Sequence, residues 1–491
     1  MVDLLGLLVA ILLIFLSFNW LKRQQKSTAG TQRGIVIERV DAEAEEEEES
    51  KQSMERNLNK PKIKSQRATT KKNKNKHQIP SDPRFLRRYG GHAGAVTAFS
   101  ASPDGQWLAT AGTDGQIRVA KVDEASFNLS ATVKTPGMGV FQDHLSAISW
   151  LSSEGNPTVA GTIEKSRQIA FYRVRLRKNA TTTPATTGGT AKASNNSNQY
   201  ELIELVKRRF NISSKVDEGV RVAACLADHS HDSNKNCLIL TKTVYDPKQS
   251  QMKHPNTVAW SGDGGDGAAG TVNTNSPGLR MSPDGAFLCG RGGIGSSEAK
   301  IFEVRRRKVK GESEPVFDSV SSRSVMTLVP RTTAAKVADV AFCGERDNLK
   351  LHHVSLGVVA CEDGSVEVWN LDVDFRQRED PGFICSVQVL DGGDEPVGSY
   401  EKKVVCMASS NAISSPENNA TIYRLAVATS DSALHLLSYH IEKAHLSVDF
   451  SILNSGHKEG VGELQFCPFS GNILYSTGNN NSRDVYSWNL S

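Results

Sequence analysis

The chain lacks several features that mark particular classes of protein. Its net charge is only +4 over 491 residues, which gives no overall case for nucleic-acid binding. Aromatic residues make up 7% of the chain, and the eight cysteines show no dense spacing, which argues against a disulfide-rich secreted scaffold. We expect buried free thiols in a reducing compartment at Cys225, Cys237, Cys289, Cys343, Cys361, Cys385, Cys406 and Cys467. Glycine, with 40 residues, is abundant, which suits a turn-rich all-β chain.

One uncharged apolar stretch, Leu4–Leu21, stands at the start of the chain. As a helix it would be roughly 27 Å long, just enough to cross the hydrocarbon of a bilayer and best suited to a thin one such as the endoplasmic reticulum. The only charged residue before it is Asp3, whereas the basic residues Lys22 and Arg23 follow it. The positive-inside rule therefore places the rest of the chain in the cytosol. A cleaved secretory signal is the alternative, but it needs a basic residue before the apolar run and a small-x-small site after it. We therefore predict an uncleaved transmembrane anchor over residues 1–21.

Residues 22–82 are polar and charged, with an acidic run followed by a basic one. Such a segment has too little apolar surface to fold, and we predict a disordered charged linker that holds the following domain away from the membrane. The alternative is a polybasic patch for anionic lipid head groups or RNA phosphates. Its central residues are Lys71, Lys72, Lys74 and Lys76.

The segment Gly91–Val122 predicts three short strands separated by tight turns. A Gly-His pair opens it, and the turns are Ser-Pro-Asp-Gly (Ser102–Gly105) and Thr-Asp-Gly (Thr113–Gly115). The Ser-Pro-Asp-Gly turn recurs at Ser282–Gly285, about 180 residues later, which indicates a true internal repeat. One such unit cannot bury both of its faces alone, so neighbouring units are expected.

Six further units of this type are expected, so residues 83–491 are predicted to form a seven-bladed β-propeller, and the fold class is all-β. The later blades are placed at Asp143–Val174, Gly219–Trp260, Val272–Val304, Val337–Asn370, Ile422–Tyr439 and Gly456–Leu490. The last blade lacks a fourth strand, and Phe85–Tyr89 is predicted to supply it and close the ring. Two segments are assigned to loops: the polar insertion Arg177–Gln199 and the glycine-rich stretch Gly265–Gly270, the latter between blades three and four.

These repeats resemble the WD40 family, in which a His, a Ser or Thr, an Asp and a Trp bond to one another within a blade. The resemblance assigns structural roles of this kind to His92, Thr110, Asp114, Asp363, Trp369, His457, Ser476 and Trp488. No blade holds the full set: Ala120 replaces Trp in blade one, and an Asn near position 480 replaces Asp in blade seven. Blade five lacks the Gly-His pair.

An N-terminal span, a charged linker and a C-terminal ring together resemble the membrane-anchored transducin beta-like proteins of this family. The local matches are Asn273–Asn275 before Ser282–Gly285, and Trp369–Phe375 before Asp380-Pro381. The resemblance implies an endoplasmic-reticulum scaffold that binds proteins, with the stress-activated kinase of that membrane and the ribosome as partners, in stress signalling and translation control. One alternative is a vesicle-trafficking exchange factor of the same membrane, although its anchor follows the ring. Another is a secreted or lumenal propeller enzyme.

Signals for enzymatic chemistry are weak, and we predict no enzyme, no cofactor, no metal and no small-molecule substrate. Gly265–Gly270 reads GxGxxG, but no helical pattern follows it, as a dinucleotide site would require. Cys225, His229, His231 and Cys237 do not have a recurrent zinc-ligand spacing. His352-His353 has no acidic or cysteine partner nearby and is assigned to a loop between strands.

Three basic clusters lie beside predicted strands, at 173–178, 207–209 and 305–310. The simpler interpretation is solvated charge at turns, and the alternative is a surface that contacts RNA or the ribosome. For that alternative the candidate contacts in the ring are Arg305, Arg306, Arg307 and Lys308.

Overall fold

The structure is a computed structural model, and the residues it describes all lie in the second of two compact units, Gln78–Ser491. The predicted anchor Leu4–Leu21 and nearly all of the predicted linker lie outside them. No helix in the described part is long and apolar enough to cross a membrane. The described residues are 80–123, 128–132, 144–152, 157–163, 168–176, 200–209, 221–227, 237–246, 251–261, 271–273, 279–282, 286–290, 297–307, 316–321, 323–331, 335–344, 354–374, 377, 379–390, 402–414, 421–479 and 481–491.

The described part of the chain is built from strands, which confirms the all-β prediction. Its strands form seven antiparallel sheets, here numbered by their order along the chain. The chain starts with β1 (Phe85–Gly90). The first sheet contains β2 (Val96–Ala101), β3 (Trp107–Gly112), β4 (Gln116–Lys121) and β5 (Asn128–Thr132). The second contains β6 (Leu145–Ser152), β7 (Thr158–Ile163), β8 (Gln168–Leu176) and β9 (Tyr200–Arg209). The third contains β10 (Arg221–Ala227), β11 (Cys237–Asp246), β12 (Gln251–Ser261) and β13 (Thr271–Asn273).

The remaining sheets follow the same order of strands, with two short additions. The fourth contains β14 (Leu279–Met281), β15 (Phe287–Gly290), β16 (Ala299–Arg307) and β17 (Val316–Val320), and β18 (Met326–Leu328) also pairs with β16. The fifth contains β19 (Val337–Gly344), β20 (Val354–Cys361), β21 (Ser365–Asn370) and β22 (Gly382–Gln388). The sixth contains β23 (Val404–Ser409), β25 (Thr421–Thr429), β26 (Leu434–His440) and β27 (His445–Ile452), and β24 (Ile413–Ser414) pairs with β25. The seventh contains β28 (Val461–Phe466), β29 (Ile473–Gly478), β30 (Asp484–Asn489) and β1.

The first strands of the seven sheets contact one another in a closed cycle. The order is β2, β6, β10, β14, β19, β23, β28 and back to β2. Hydrogen bonds show that neighbouring first strands run in the same direction: the Thr97 hydroxyl near the start of β2 donates to the Leu145 carbonyl at the start of β6 (2.6 Å). At their far ends the Trp150 indole N–H of β6 donates to the Ser100 carbonyl of β2 (2.8 Å).

This common direction gives the ring two faces. We call the end where first and second strands connect, as at Ser102–Gly105, the first-turn face. The end where second and third strands connect, as at Thr113–Gly115, is the second-turn face. In the first six sheets the connection from third to fourth strand lies on the first-turn face again.

The hydrophobic core lies between adjacent sheets. Separate clusters fill the gaps between the first and second sheets, the fourth and fifth, the fifth and sixth, the sixth and seventh, and the seventh and first. Strand β3 is buried along its whole length, whereas β4 buries Ile117 and Val119 and leaves its other four residues partly exposed. The first, fifth, sixth and seventh sheets each contribute to two of these clusters, so any one of them taken alone would expose much of its apolar surface.

The predicted closure of the ring is confirmed. Strand β1 pairs with β30, with Phe85 opposite Trp488 and Gly90 opposite Asp484. The last sheet therefore takes three strands from the end of the sequence and one from before the first sheet.

Two predicted boundaries are wrong. Val272 does not open the fourth unit, because β13 pairs with β12 as the outer strand of the third sheet, with Asn256 opposite Asn273. The stretch Gly265–Gly270, outside the described residues, therefore connects two strands of the third sheet instead of two sheets. In the sixth sheet the sequence reading found β25 and β26 but missed β23 and β27.

Candidate functional site

His92 is the centre of a buried network in the first sheet. Its Nδ1 lies 3.0 Å from Asp114 Oδ1, and its Nε2 lies 3.0 Å from the Thr110 hydroxyl oxygen. Asp114 also accepts the backbone N–H of Ala93 (2.8 Å), which fixes the chain that enters β2. Burial lowers the pKa of His92 despite the nearby carboxylate, so the ring is neutral, with the Nδ1 proton donated to Asp114 and Nε2 accepting from Thr110.

His457 holds the equivalent position in the seventh sheet. Its Nε2 lies 2.9 Å from the Ser476 hydroxyl oxygen, which also accepts the indole N–H of Trp488 (2.9 Å). The imidazole stacks on Tyr486, with ring centroids 4.5 Å apart. Burial lowers the pKa of His457 to about 4. Asn480 occupies the sequence position of Asp114, and its structure lies outside the described residues.

The fifth sheet keeps Asp363 and Trp369 but does not bring them together. Asp363 is exposed and accepts the backbone N–H of Ser365 in its own turn (3.1 Å). Trp369 is buried, and its indole nitrogen has no hydrogen-bond partner among the described residues. The register explains the difference, because the position held by Thr110 and Ser476 in the other two sheets is Val359, which cannot accept a hydrogen bond.

Glu367 fastens the entering chain in the fifth sheet instead. Its fully buried carboxylate accepts the backbone N–H of Arg331, at 2.9 and 3.1 Å to its two oxygens. The Arg331 guanidinium lies 5.6 Å from the centre of the Trp369 ring. Sequence reasoning missed this pairing because a Glu in a strand carries no repeat signature.

The two Ser-Pro-Asp-Gly sequences have the same hydrogen bonds in the part of each turn that the structure describes. The Ser102 hydroxyl accepts the Trp107 backbone N–H (2.8 Å), and the Ser282 hydroxyl accepts that of Phe287 (2.8 Å). In both cases the serine backbone N–H donates to the carbonyl of the same partner residue. The sequence repeat is therefore also a repeat of local structure.

The structure divides the three basic clusters between two faces. Arg175 and Arg305 lie near the strand ends of the first-turn face, whereas Lys207–Arg209 end β9 at the second-turn face. Arg175 pairs with Glu201 (2.7 Å) and Arg305 with Glu303 (3.2 Å), so each has a carboxylate partner on its own sheet. This favours solvated turn charge over one shared phosphate-binding surface. Of the other predicted contacts, Arg306 and Arg307 lie in β16, and Lys308, Lys71, Lys72, Lys74 and Lys76 lie outside the described residues.

An apolar stripe crosses the first-turn face from the sixth sheet to the seventh. It begins at Ile441, continues through Ile422 and its partner Ile413, and ends at Phe469. Phe469 is 78% exposed, the highest value among the described large apolar residues. The sequence signal was an aromatic in Pro468–Gly471, a turn where polar residues are usual, and the sequence reading missed it.

The turn that carries Phe469 is held on both sides by neighbouring sheets. The Asn411 side-chain amide of the sixth sheet donates to the Pro468 carbonyl (2.6 Å). A Cβ placed on Gly105 of the first sheet would lie 3.0 Å from Phe469 Cβ, and one on Gly471 would lie 2.8 Å from Ile413 Cδ1. The backbone is thus tightly packed while the aromatic ring faces solvent.

Other predicted features are placed as follows. Cys225 lies in β10 opposite Ile239, and Cys237 lies opposite Ala227 in β11, while His229, His231, His352 and His353 lie outside the described residues. Among the residues that the structure covers, no group of His, Cys, Asp and Glu side chains could hold a metal ion. The six cysteines whose side chains are described are free, and five are buried.

Comparison with known families identifies one repeat. Residues 83–120 match the model of the WD domain, G-beta repeat (WD40), and the match spans β1 and the first three strands of the first sheet. No curated protein sequence matches the chain.

Solved structures with a similar chain path include WD40 proteins. The crystal structure of RRP9 WD40 repeats has 14% identity and a TM-score of 0.49, covering 84% of this chain and 99% of that one. The structure of U3-55K has 14% identity and a TM-score of 0.49, covering 83% and 99%. Chaetomium thermophilum Raptor has 12% identity and a TM-score of 0.44, covering 83% of this chain and 30% of that one. Similarities at this level assign no function to the chain.

Proposed function

We propose that this chain is a WD40 scaffold, a seven-bladed propeller that presents loop surfaces to protein partners from the cytosolic side of the endoplasmic reticulum membrane. Leu4–Leu21 is the tether, and residues 22–82 are the spacer. The seven sheets, whose first strands contact one another in a closed cycle, support the propeller. The charge pattern around the apolar run and the resemblance to the membrane-anchored transducin beta-like proteins support the tether.

The main observation behind the scaffold proposal is the exposed Phe469 on its rigid turn. Contacts from two neighbouring sheets hold its backbone, so little conformational freedom remains to be lost when a partner covers the ring. Exposed aromatic side chains on rigid supports are frequent centres of protein interfaces. The buried histidines have a structural role instead: His92 and His457 each bond to side chains of their own sheet and are nearly inaccessible to solvent.

The function follows from the tether and the rigid ring together. A membrane anchor raises the concentration of the ring relative to partners on the same membrane, without any new contact. The partners we propose are the stress-activated kinase of the endoplasmic reticulum and the ribosome, which places the chain in stress signalling and translation control. Contact with RNA would depend mainly on the linker lysines, since Arg175 and Arg305 of the ring already have carboxylate partners.

The membrane topology is tested first. The chain carries acceptor sequences for N-glycosylation at Asn128, Asn179, Asn195, Asn211, Asn419, Asn480 and Asn489. We expect no mobility shift of the cell-expressed protein after endoglycosidase treatment, and digestion of the ring when intact microsomes are exposed to protease. A shift together with protease protection would place the ring in the lumen and remove the kinase and ribosome proposals.

Partner binding is tested with two exposed apolar residues on opposite faces. Phe469→Ser alters the first-turn face, and Leu453→Ser, a control of similar exposure, alters the second-turn face. We expect Phe469→Ser to weaken co-precipitation with the purified kinase or co-sedimentation with ribosomes at least about tenfold. If both variants weaken binding equally, the first-turn face is not the partner-binding surface. Replacing Lys71, Lys72, Lys74 and Lys76 with Ala should weaken any salt-sensitive ribosome association, and unchanged sedimentation would exclude that patch.

A further inference from the structure

The apolar stripe on the first-turn face runs across the strands of the sixth sheet. Ile413 of β24 lies directly opposite Ile422 of β25, and the backbone N–H of Ile441 donates to the Thr421 carbonyl (3.3 Å). Adjacent strands are about 5 Å apart, so the three isoleucines span about 10 Å before the stripe reaches Phe469. A partner that follows the stripe therefore crosses the ends of these strands and cannot pair with them as an added strand.

Both ends of the stripe are accessible to a partner. Ile441 and Phe469 are exposed, and Ile422 between them is half-buried. Ile441 comes two residues after Tyr439, which packs in the core between the fifth and sixth sheets. Because side chains alternate along a strand, Ile441 points toward the fifth sheet.

Carboxylates lie on both sides of the stripe. At one end Asp104 precedes Gly105, against which the Phe469 side chain packs, and at the other end Glu442 follows Ile441. The third-to-fourth connection of the fifth sheet, on the side to which Ile441 points, carries four exposed carboxylates: Asp372, Asp374, Glu379 and Asp380.

Few basic residues offset these carboxylates. The connections that carry or flank the stripe are 102–106, 371–381, 410–420, 441–444 and 467–472. Among their described side chains the only basic one is Lys443. Their sequence also contains Arg376, Arg378 and Glu417, so an excess of negative charge remains.

The cation nearest to the stripe in β25 is occupied inside the ring. The Arg424 guanidinium donates to the Asn472 side chain (2.9 Å) and to the Leu490 carbonyl (2.7 Å), both of the seventh sheet. It is directed into the gap between the two sheets and does not offset the carboxylates that face solvent.

We propose that the apolar stripe binds an amphipathic helix of a protein partner, with apolar side chains on one face of the helix and lysine or arginine on its flanks. This inference rests on the proposed function, because it names the chemistry of the partner that the Phe469 face binds. RNA does not fit this surface, since its phosphates would lie against carboxylates.

The dimensions of the stripe suit a helix. On a helix, side chains three and four residues apart are about 5–6 Å from one another, which matches the spacing of the strands beneath the stripe. Ile413 already packs against Gly471 of the turn that carries Phe469. Three helical turns, about 16 Å long, therefore cover the isoleucines and reach this turn. An apolar helix face laid along a row of apolar side chains is a recurrent mode of protein recognition.

A designed peptide tests the proposal on the full chain. The probe is a fluorescent helical peptide of about 14 residues, with leucines three and four residues apart and lysines on both sides of them. A charge-reversed copy has glutamate in place of every lysine. Binding is measured by fluorescence anisotropy with the chain in nanodiscs of zwitterionic lipid, and empty nanodiscs are the blank. The lysine peptide should bind at least about tenfold more tightly than the glutamate peptide.

Two variants locate the bound peptide. Phe469→Ser should weaken binding of the lysine peptide at least about tenfold. Leu453→Ser, the control on the second-turn face, should change it by less than about twofold.

Two further variants test the charges. Asp372→Asn with Asp380→Asn should weaken binding of the lysine peptide at least about threefold at low salt, and much less in about 0.5 M salt. Asp363→Asn with Glu459→Gln removes the same charge from the second-turn face and should leave binding unchanged.

Three results would overturn the proposal: no binding of the lysine peptide, equal binding of the two peptides, or binding of the lysine peptide that Phe469→Ser leaves unchanged. An RNA oligonucleotide of about 12 nucleotides that binds the wild type but not Phe469→Ser would assign the face to RNA instead. The proposed function fails on a different result, namely that the kinase and the ribosome still associate fully with Phe469→Ser. If they do not, but the peptide fails to bind, the scaffold proposal stands and only the helical partner is excluded.

Discussion

Arg280 of the fourth sheet is paired with Asp339 of the fifth through two hydrogen bonds, Nε to Oδ1 at 3.3 Å and Nη2 to Oδ2 at 2.9 Å. Asp339 is fully buried and also accepts the backbone N–H of Met407 in the sixth sheet (2.8 Å). Arg280 Nη2 in turn donates to the Met407 carbonyl (2.6 Å). One ion pair thus connects the first strands of three consecutive sheets.

Breaking this pair should destabilise the ring strongly. Asp339→Ala leaves a guanidinium without its carboxylate and removes an acceptor from Met407, which typically costs about 3–5 kcal/mol of folding free energy. The exposed pair Lys300–Glu298 (2.9 Å) is the control, and Lys300→Ala should cost at most about 1 kcal/mol. Thermal and urea unfolding of both variants measure the difference. Equal losses would show that the buried pair contributes no more than a surface one.

Gly90 should tolerate no side chain. A Cβ there would lie 1.9 Å from Asp484 Oδ1, so Gly90→Ala must displace a buried carboxylate at the closure of the ring, at about 1–3 kcal/mol. Gly382 in the outer strand of the fifth sheet is the matched control, since its nearest neighbour would be 3.7 Å away. Gly382→Ala should change unfolding by no more than about 0.5 kcal/mol. A neutral Gly90→Ala would contradict the close packing described at this position.

Val359→Thr should be tolerated unusually well for a buried position. Burying a hydroxyl in place of a methyl normally costs about 1–3 kcal/mol when it finds no partner, but here it would lie where Ser476 accepts the indole N–H of Trp488. The new hydroxyl would give the Trp369 indole N–H an acceptor, so the net change in the free energy of unfolding should be near zero.

Val427 is the matched control for this substitution. It is fully buried at the same register position of the sixth sheet, where Leu437 replaces the tryptophan. In the same unfolding measurement Val427→Thr should lose the full amount of stability expected for a buried hydroxyl without a partner. If both variants lose the same amount of stability, the Trp369 indole is not within hydrogen-bond distance of the hydroxyl at position 359.

His457 should make the ring sensitive to acid. Its folded pKa, lowered by burial to about 4, lies below the ordinary value of 6.5. The unfolded chain therefore binds the proton more readily, so this stabilisation is complete above about pH 6.5 and is lost as pH falls toward 4. The loss amounts to about 3 kcal/mol.

His457→Gln should flatten this pH dependence. As the pH is lowered from 6.5 to 4, the urea concentration at the unfolding midpoint should decrease for the wild type. For the variant it should decrease less, although the variant is less stable at pH 6.5. His92, whose pKa is also lowered by burial, contributes a slope of the same sign in both proteins. Identical slopes for wild type and variant would rule out His457 as the titrating group.

The sequence predicted the repeat where local signals were strong. The turns around Ser102 and Ser282 and the pairing of Phe85–Tyr89 with the last sheet were found because glycine turns and alternating apolar residues are local properties. Strand β23 was missed because VVCMAS is a continuous apolar run without a flanking turn signal. The Val272 error has a similar origin, since a three-residue strand carries too little pattern to be assigned to a sheet.

The interactions between sheets could not be read from the sequence. Arg280, Asp339 and Met407 are separated by 59 and 68 positions, and no spacing rule connects them. Glu367 and Phe469 likewise acquire their roles from residues brought near by the ring. Their neighbours are known only once the chain is folded, because in the sequence each is an isolated charged or aromatic residue.

The seventh sheet can be completed only at the end of synthesis, because it pairs the first strand of the ring with the last. Strand β1 is among the first parts of the ring to leave the ribosome, yet its partner β30 begins only at Asp484, about 400 residues later. At about 5–20 residues per second, β1 waits on the order of half a minute before it can pair. Until the last strand emerges, the sheets already made can form at most an open arc, whose two end sheets expose apolar surface that the closed ring covers.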